Sequence, residues 1–111
     1  MITTHVLDLG VGKPASGISV ILELRQESEW RAVGRGLTDA SGRLATLTDG
    51  FTIVPGTYRL TYEIGTYHRQ QGLATPFFPE ARITFNVADA GEKYHVPLVL
   101  SPFGYSTYRG S

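Results

Sequence analysis

Two histidines, two arginines and a serine are the side chains of this sequence best suited to chemistry, and the histidines sit in strand-like surroundings. His5 alternates with Thr3 and Leu7, and His95 alternates with Pro97 and Val99. A half-buried strand turns successive residues to opposite faces. Val6, Val96 and Leu98 are therefore expected to point into a core, and both histidines to point away from it. Histidine titrates near neutral pH and serves as base or acid, so two on outer sheet faces invite an acid–base reading. Either one alone would ordinarily be a surface or hydrogen-bonded residue. His68 falls in a short polar segment and is expected to be exposed.

Arg43 follows an Asp-Ala-Ser-Gly turn and opens a strand, and Arg109 lies in the closing Tyr108-Arg109-Gly110-Ser111. A guanidinium fork suits a planar urea- or imide-like ligand whose oxygens accept paired hydrogen bonds, although a solvated or ion-paired arginine is the ordinary alternative for each. Other chemistries have less support. Two histidines and a carboxylate can hold zinc, but no HxH or HExxH spacing occurs, and Asp8 alternates off the His5 face. No G-x-S-x-G elbow is present, and no strand–loop–helix context for a phosphate cradle. The expectation is a site without metal or cofactor.

Period-two patterning supplies the elements that must position these groups. Ile18, Val20, Leu22 and Leu24 alternate with Ser19, Glu23 and Arg25; Tyr58, Leu60, Tyr62 and Ile64 with Arg59, Thr61 and Glu63; Ile83, Phe85 and Val87 with Arg82, Thr84 and Asn86. Further strands are expected over Thr3 to Leu9, Trp30 to Thr38, Tyr94 to Leu100 and Tyr105 to Arg109, with a short one near Arg43 to Leu47. Turn residues separate them, as in Gly10-Val11-Gly12-Lys13-Pro14, Asp39-Ala40-Ser41-Gly42 and Ser101-Pro102. Pro97, inside a strand, marks an edge, a bulge or a ladder position that faces nothing. Only Thr66 to Gln71 could be helical, and so short a helix needs docking to persist. The pattern predicts one all-β domain over 1–111, an antiparallel two-sheet sandwich with one short helix.

Composition narrows the partners. The 111 residues carry 10 Lys+Arg against 10 Asp+Glu, and no basic run offers the footprint that nucleic acid or an anionic membrane requires. A small-molecule substrate is expected instead. Without cysteine there is no disulfide framework, thiolate metal site or Cys nucleophile. Strand-like sequence from the start, with no apolar stretch of spanning length, predicts a soluble cytoplasmic protein.

Taken in order, Thr4-His5-Val6-Leu7-Asp8, Gly12-Lys13-Pro14-Ala15, Thr38-Asp39 through Gly42-Arg43, Phe77-Phe78-Pro79, Tyr94 through Pro102 and Tyr105 through Ser111 resemble the 5-hydroxyisourate hydrolases of the transthyretin-like family. The resemblance covers essentially the whole chain. Val6-Leu7-Asp8, Leu100-Ser101-Pro102 and Tyr105-Ser106-Thr107 are also similar to the hormone carrier of that family, which lacks the combination of first-strand His, Arg after the turn, His before Val-Pro-Leu and terminal Tyr-Arg-Gly-Ser. Departures from the hydrolase pattern are slight: Val99 stands where Leu is common, and the short helix is unusually polar.

The resemblance implies a prealbumin-like sandwich of two four-stranded sheets, assembled as a homotetramer with its sites in a channel lined by outer sheet faces and chain termini. It implies opening of the substrate ring by water, with His5 and His95 handling protons and Arg43 and Ser111 completing the catalytic set. Tyr108 and Arg109 would join His5, Arg43 and Ser111 in binding substrate.

Overall fold

The computed structural model describes residues 1–111. Two sheets form a sandwich. The first contains β1 (Ile2–Asp8), β2 (Lys13–Pro14), β5 (Arg43–Leu44), β8 (Tyr94–Ser101) and β9 (Gly104–Thr107); the second runs β4 (Glu29–Leu37), β3 (Ser19–Gln26), β6 (Gly56–Tyr62), β7 (Ala81–Val87). One helix, α1 (Ile64–Gln70), follows β6. No helix is long and apolar enough to cross a membrane.

The expected alternation governs which residues are buried. In β1, Ile2, Thr4, Val6 and Asp8 are buried while Thr3, His5 and Leu7 are half-exposed. Val20, Leu22 and Leu24 of β3 meet Tyr58, Leu60 and Tyr62 of β6 in a core shared with Val96, Leu98 and Leu100 of β8. The apolar area removed from water there is the main favourable term in folding. The buried hydroxyls of Thr4 and Tyr62 in this core are paired. The Thr4 hydroxyl donates to the Val96 carbonyl at 2.6 Å, so the Tyr62 hydroxyl, 2.7 Å from Thr4 Oγ1, must donate to it. Burial pushes the Tyr62 phenol well above its ordinary range, so it remains a donor, and it ties the second sheet to β1 and β8 beneath the two histidines.

The structure departs from expectation at several points. The first sheet has five strands rather than four, because β2 and β5, two residues each, both pair with β1. The sandwich is not wholly antiparallel: β1 and β8 run parallel from Ile2↔Tyr94 to Asp8↔Leu100, a pairing that needs a long crossover, supplied here by the second sheet. Pro97 lies in a central strand. The β8–β9 register ends at Leu98↔Thr107, so its missing N–H falls where that ladder has stopped. The last strand ends at Thr107, leaving Tyr108 and Arg109 outside it.

The helix begins two residues earlier than expected, and His68 is buried rather than exposed. Including Ile64 and Gly65 makes the segment amphipathic: Ile64, Gly65, Tyr67 and His68 form its buried face. Tyr67 donates to Asp8 Oδ2 at 2.7 Å, and Asp8 Oδ1 accepts from the Gly10 N–H at 2.8 Å. Asp8 thus docks the helix against the end of β1, away from the outer face that carries His5.

Candidate active site

Strand register brings the chemical residues together on the outer face of the first sheet. Arg43 of β5 pairs with His5, Thr3 pairs with His95 across the parallel ladder, and Gly110 forms an isolated bridge to His95. His5 and His95 are therefore diagonal neighbours on β1 and β8, with Arg43 flanking one and the end of the chain flanking the other. A cleft of about 590 Å³ opens here, lined by Thr3, Arg43, Lys93, His95, Arg109 and Ser111, among others. Three of those side chains are cationic and none is Asp or Glu, so the cleft favours a ligand with negative charge or outward-facing oxygens.

The turn before Arg43 is a braced platform. Asp39 Oδ1 accepts from the Ser41 N–H at 2.9 Å, the Ser41 hydroxyl at 2.8 Å and the Arg43 N–H at 3.0 Å. Hydrogen bonds from the Arg43 backbone and the Ser41 side chain hold the exposed Asp39 carboxyl below the usual carboxylate range. Gly42 adopts φ +77°, a left-handed conformation that suits glycine. A Cβ there would lie 2.4 Å from the Val6 carbonyl oxygen, whose strand accepts this turn through Val6 N–H to Gly42 O at 2.8 Å. The platform aims the Ser41 carbonyl at His5, 2.9 Å from Nε2. A carbonyl only accepts, so Nε2 of His5 carries a proton.

His95 is set differently. Its Nδ1 lies 2.8 Å from Thr3 Oγ1, and its backbone carbonyl accepts from the Gly110 N–H at 2.8 Å. Partial burial first, then the neighbouring His5 and Arg43, lower its pKa below the ordinary 6.5. At neutral pH the ring is a neutral imidazole, able to take a proton.

Of the six residues expected from sequence, Arg43, His95, Arg109 and Ser111 line one cleft. His5 stands beside it, its ring bonded to the turn rather than lining the space. Tyr108 does not line it, but lines a smaller cleft of about 260 Å³ with Phe85, Tyr94 and Thr107. Arg109 spans both, its guanidinium 2.9 Å from Glu92 and 4.7 Å from the Tyr94 ring centre; the ion pair is more than half exposed and contributes little stability. Sequence reading missed Thr3, Asp39 and Lys93. Thr3 shares the outward phase of His5, and Asp39 occupies the first position of an Asx turn, so both carried a usable signal; Lys93 carried none. No group of three or more His, Cys, Asp or Glu side chains converges as metal ligands would.

The model of the HIUase/Transthyretin family matches residues 2–110. The chain belongs to that family. Among curated members, 5-hydroxyisourate hydrolase 2 of Rhizobium meliloti is 44% identical over 99% of this chain and 95% of its own length, and the 5-hydroxyisourate hydrolase of Salmonella dublin is 42% identical over 100% and 81%. Among solved family structures, the Klebsiella pneumoniae 5-hydroxyisourate hydrolase superposes with a TM-score of 0.86 at 34% identity, covering 99% of this chain and 97% of its own. Transthyretin from Sparus aurata gives 0.91 at 29% identity, over 98% and 95%. Shape does not separate the two branches of the family; the side chains on the outer face must.

Proposed function

We propose that this chain is a single-domain cytoplasmic hydrolase that opens 5-hydroxyisourate to 2-oxo-4-hydroxy-4-carboxy-5-ureidoimidazoline, a step in urate degradation towards allantoin. The observation that carries the reading is the meeting of His95, Arg43 and Ser111 at one cationic cleft, with His5 on the adjoining strand. Water adds to the activated carbonyl of the six-membered ring as it loses a proton to a base, the C–N bond breaks, the ring nitrogen takes a proton, and the opened product carries the new carboxyl group, which ionises to the carboxylate. His5 and His95 exchange the protons. Arg43 holds substrate oxygens and stabilises the negative charge of the tetrahedral adduct. Ser111 and Arg109 contact substrate within the cleft, and Tyr108 contacts it from the smaller adjoining cleft that Arg109 also lines.

The test generates 5-hydroxyisourate in situ from urate and follows its ultraviolet decay. Decay should accelerate with the protein present and be unaffected by chelators. The TM-score of 0.91 to a transthyretin favours, as a second reading, a carrier without activity; tight binding with unaccelerated decay would select it. The lowered pKa of His95 adds a sign. If its neutral form is required, the acid limb of kcat/KM lies below the ordinary 6.5, since the ring keeps its lone pair to lower pH. A limb above that value in a pH–rate profile would remove His95 as the controlling base.

The proposed assembly is a homotetramer. Leu9 and Val11, in the β1–β2 loop, and Phe103, in the β8–β9 turn, are 68%, 51% and 69% exposed. These loops adjoin: the Leu9 N–H donates to the Leu100 carbonyl at 2.7 Å. A clustered apolar tip is better covered by symmetry copies than by water. Sedimentation should give four times the 12.1 kDa chain mass; a fully active monomer would refute it.

A further inference from the structure

The parallel pairing of β1 with β8 sets Thr3 directly opposite His95, and Thr3 Oγ1 lies 2.8 Å from His95 Nδ1 in a partly buried contact. On the other side of the imidazole, Gly110 packs so closely that a Cβ there would lie 2.6 Å from His95 Cδ2. One ring nitrogen is thus engaged and one ring edge covered, and Nε2 is the polar atom left over. An imidazole turned by half a rotation about its χ2 bond would exchange Nδ1 with Cδ2 and Nε2 with Cε1, a change that costs little unless a specific bond opposes it.

We propose that Thr3 is a positioning residue, whose hydroxyl engages Nδ1 of His95 and commits proton exchange with water or substrate to Nε2. The proposal rests on the hydrolase reading. A turned ring would present Cε1 where the lone pair must be, and would set Cδ2 against the threonine hydroxyl, losing the hydrogen bond. Thr3 therefore does for His95 what an orienting partner does for any catalytic imidazole: it selects one of two rings that are nearly equal in shape. Thr3 also lines the cleft, so a hydrocarbon in its place changes no volume and removes only the bond.

The experiment compares the native chain with Thr3→Val and Thr3→Ser, each alone and in a His95→Asn background, alongside ¹⁵N spectra of the His95 ring. Thr3→Val should lower kcat about tenfold, the scale of one hydrogen bond, with KM held and melting unchanged, and Thr3→Ser should restore it. In the His95→Asn background Thr3→Val should cost nothing further. The His95 Nδ1 resonance should move in Thr3→Val and return in Thr3→Ser. Native kcat and an unmoved ring resonance in Thr3→Val would overturn the proposal, as would an equal loss whether or not His95 is present. Should the native chain fail to open 5-hydroxyisourate, the hydrolase reading falls, and the ring spectra alone then decide whether Thr3 holds His95.

Discussion

His95→Asn should lower turnover by about two to four orders of magnitude while leaving the melting temperature near that of the native chain. The side chain is half-buried on the outer face of β8, opposite the core positions Val96 and Leu98, so its replacement opens no cavity in the packed interior. Asparagine keeps the polarity and approximate size of imidazole and can still meet the Thr3 hydroxyl. What it lacks is a nitrogen that gains and loses a proton near neutral pH. Partial burial, then the neighbouring His5 and Arg43, lower the pKa of that ring below its ordinary value, conditions that suit a proton acceptor. His5→Asn is expected in the same range, because the two rings divide the proton traffic of one reaction. Near-native turnover in His95→Asn, with melting unchanged, would remove the residue from the mechanism and leave the cationic side chains as a binding site only.

The sequence made the outward phase of His5 and His95 legible because strand alternation depends on each residue and its immediate neighbours alone. Val6, Val96 and Leu98 are buried and both histidines half-exposed, as that alternation requires. Arg43 was legible for a similar reason: Asp39 and Gly42 announce a tight turn, and whatever follows it is fixed in direction. What depends on distant partners was not legible. Lys13–Pro14 reads as loop because a two-residue strand has no period, and only its pairing with Leu7 and Asp8 makes it one. The parallel β1–β8 ladder joins residues more than ninety positions apart in the register Thr3↔His95, and no local pattern records it. His68 reads as exposed within Thr66 to Gln71, and its burial follows from Ile64 and Gly65 entering the helix and Tyr67 reaching Asp8. The expectation that Tyr105 to Arg109 forms one strand put Tyr108 and Arg109 in a regular alternation, whereas the ladder stops at Thr107 and the residues beyond it follow a path set by contacts with β8.

Deleting Arg109 to Ser111 should reduce turnover about a hundredfold, the scale of a displaced catalytic group, while shifting the melting temperature by no more than a few degrees. Chain ends are usually frayed, but this one is held by the Gly110 N–H on the His95 carbonyl at 2.8 Å and by the bare α-carbon of Gly110 against the His95 ring. The hold is one bridge, one surface ion pair from Arg109 to Glu92 and the Arg109 guanidinium over the Tyr94 ring, all at the surface and too little to matter for global stability. For the site it matters more. The segment brings Ser111 and Arg109 to the cleft and covers one edge of the ring; without it, water reaches His95 from a second side and substrate loses two of its proposed contacts. Gly110→Val separates these effects. It keeps Arg109 and Ser111 in the chain, but its Cβ would fall 2.6 Å from His95 Cδ2, so either the ring or the segment must move. If covering and orienting His95 is what counts, the valine variant loses kcat nearly as far as the deletion does, with KM less affected. If the segment serves by its substrate contacts, KM rises in both. Native turnover in the two variants together, with normal melting, would make the residues after Tyr108 bystanders and contract the proposed site to His5, Arg43, His95 and Tyr108.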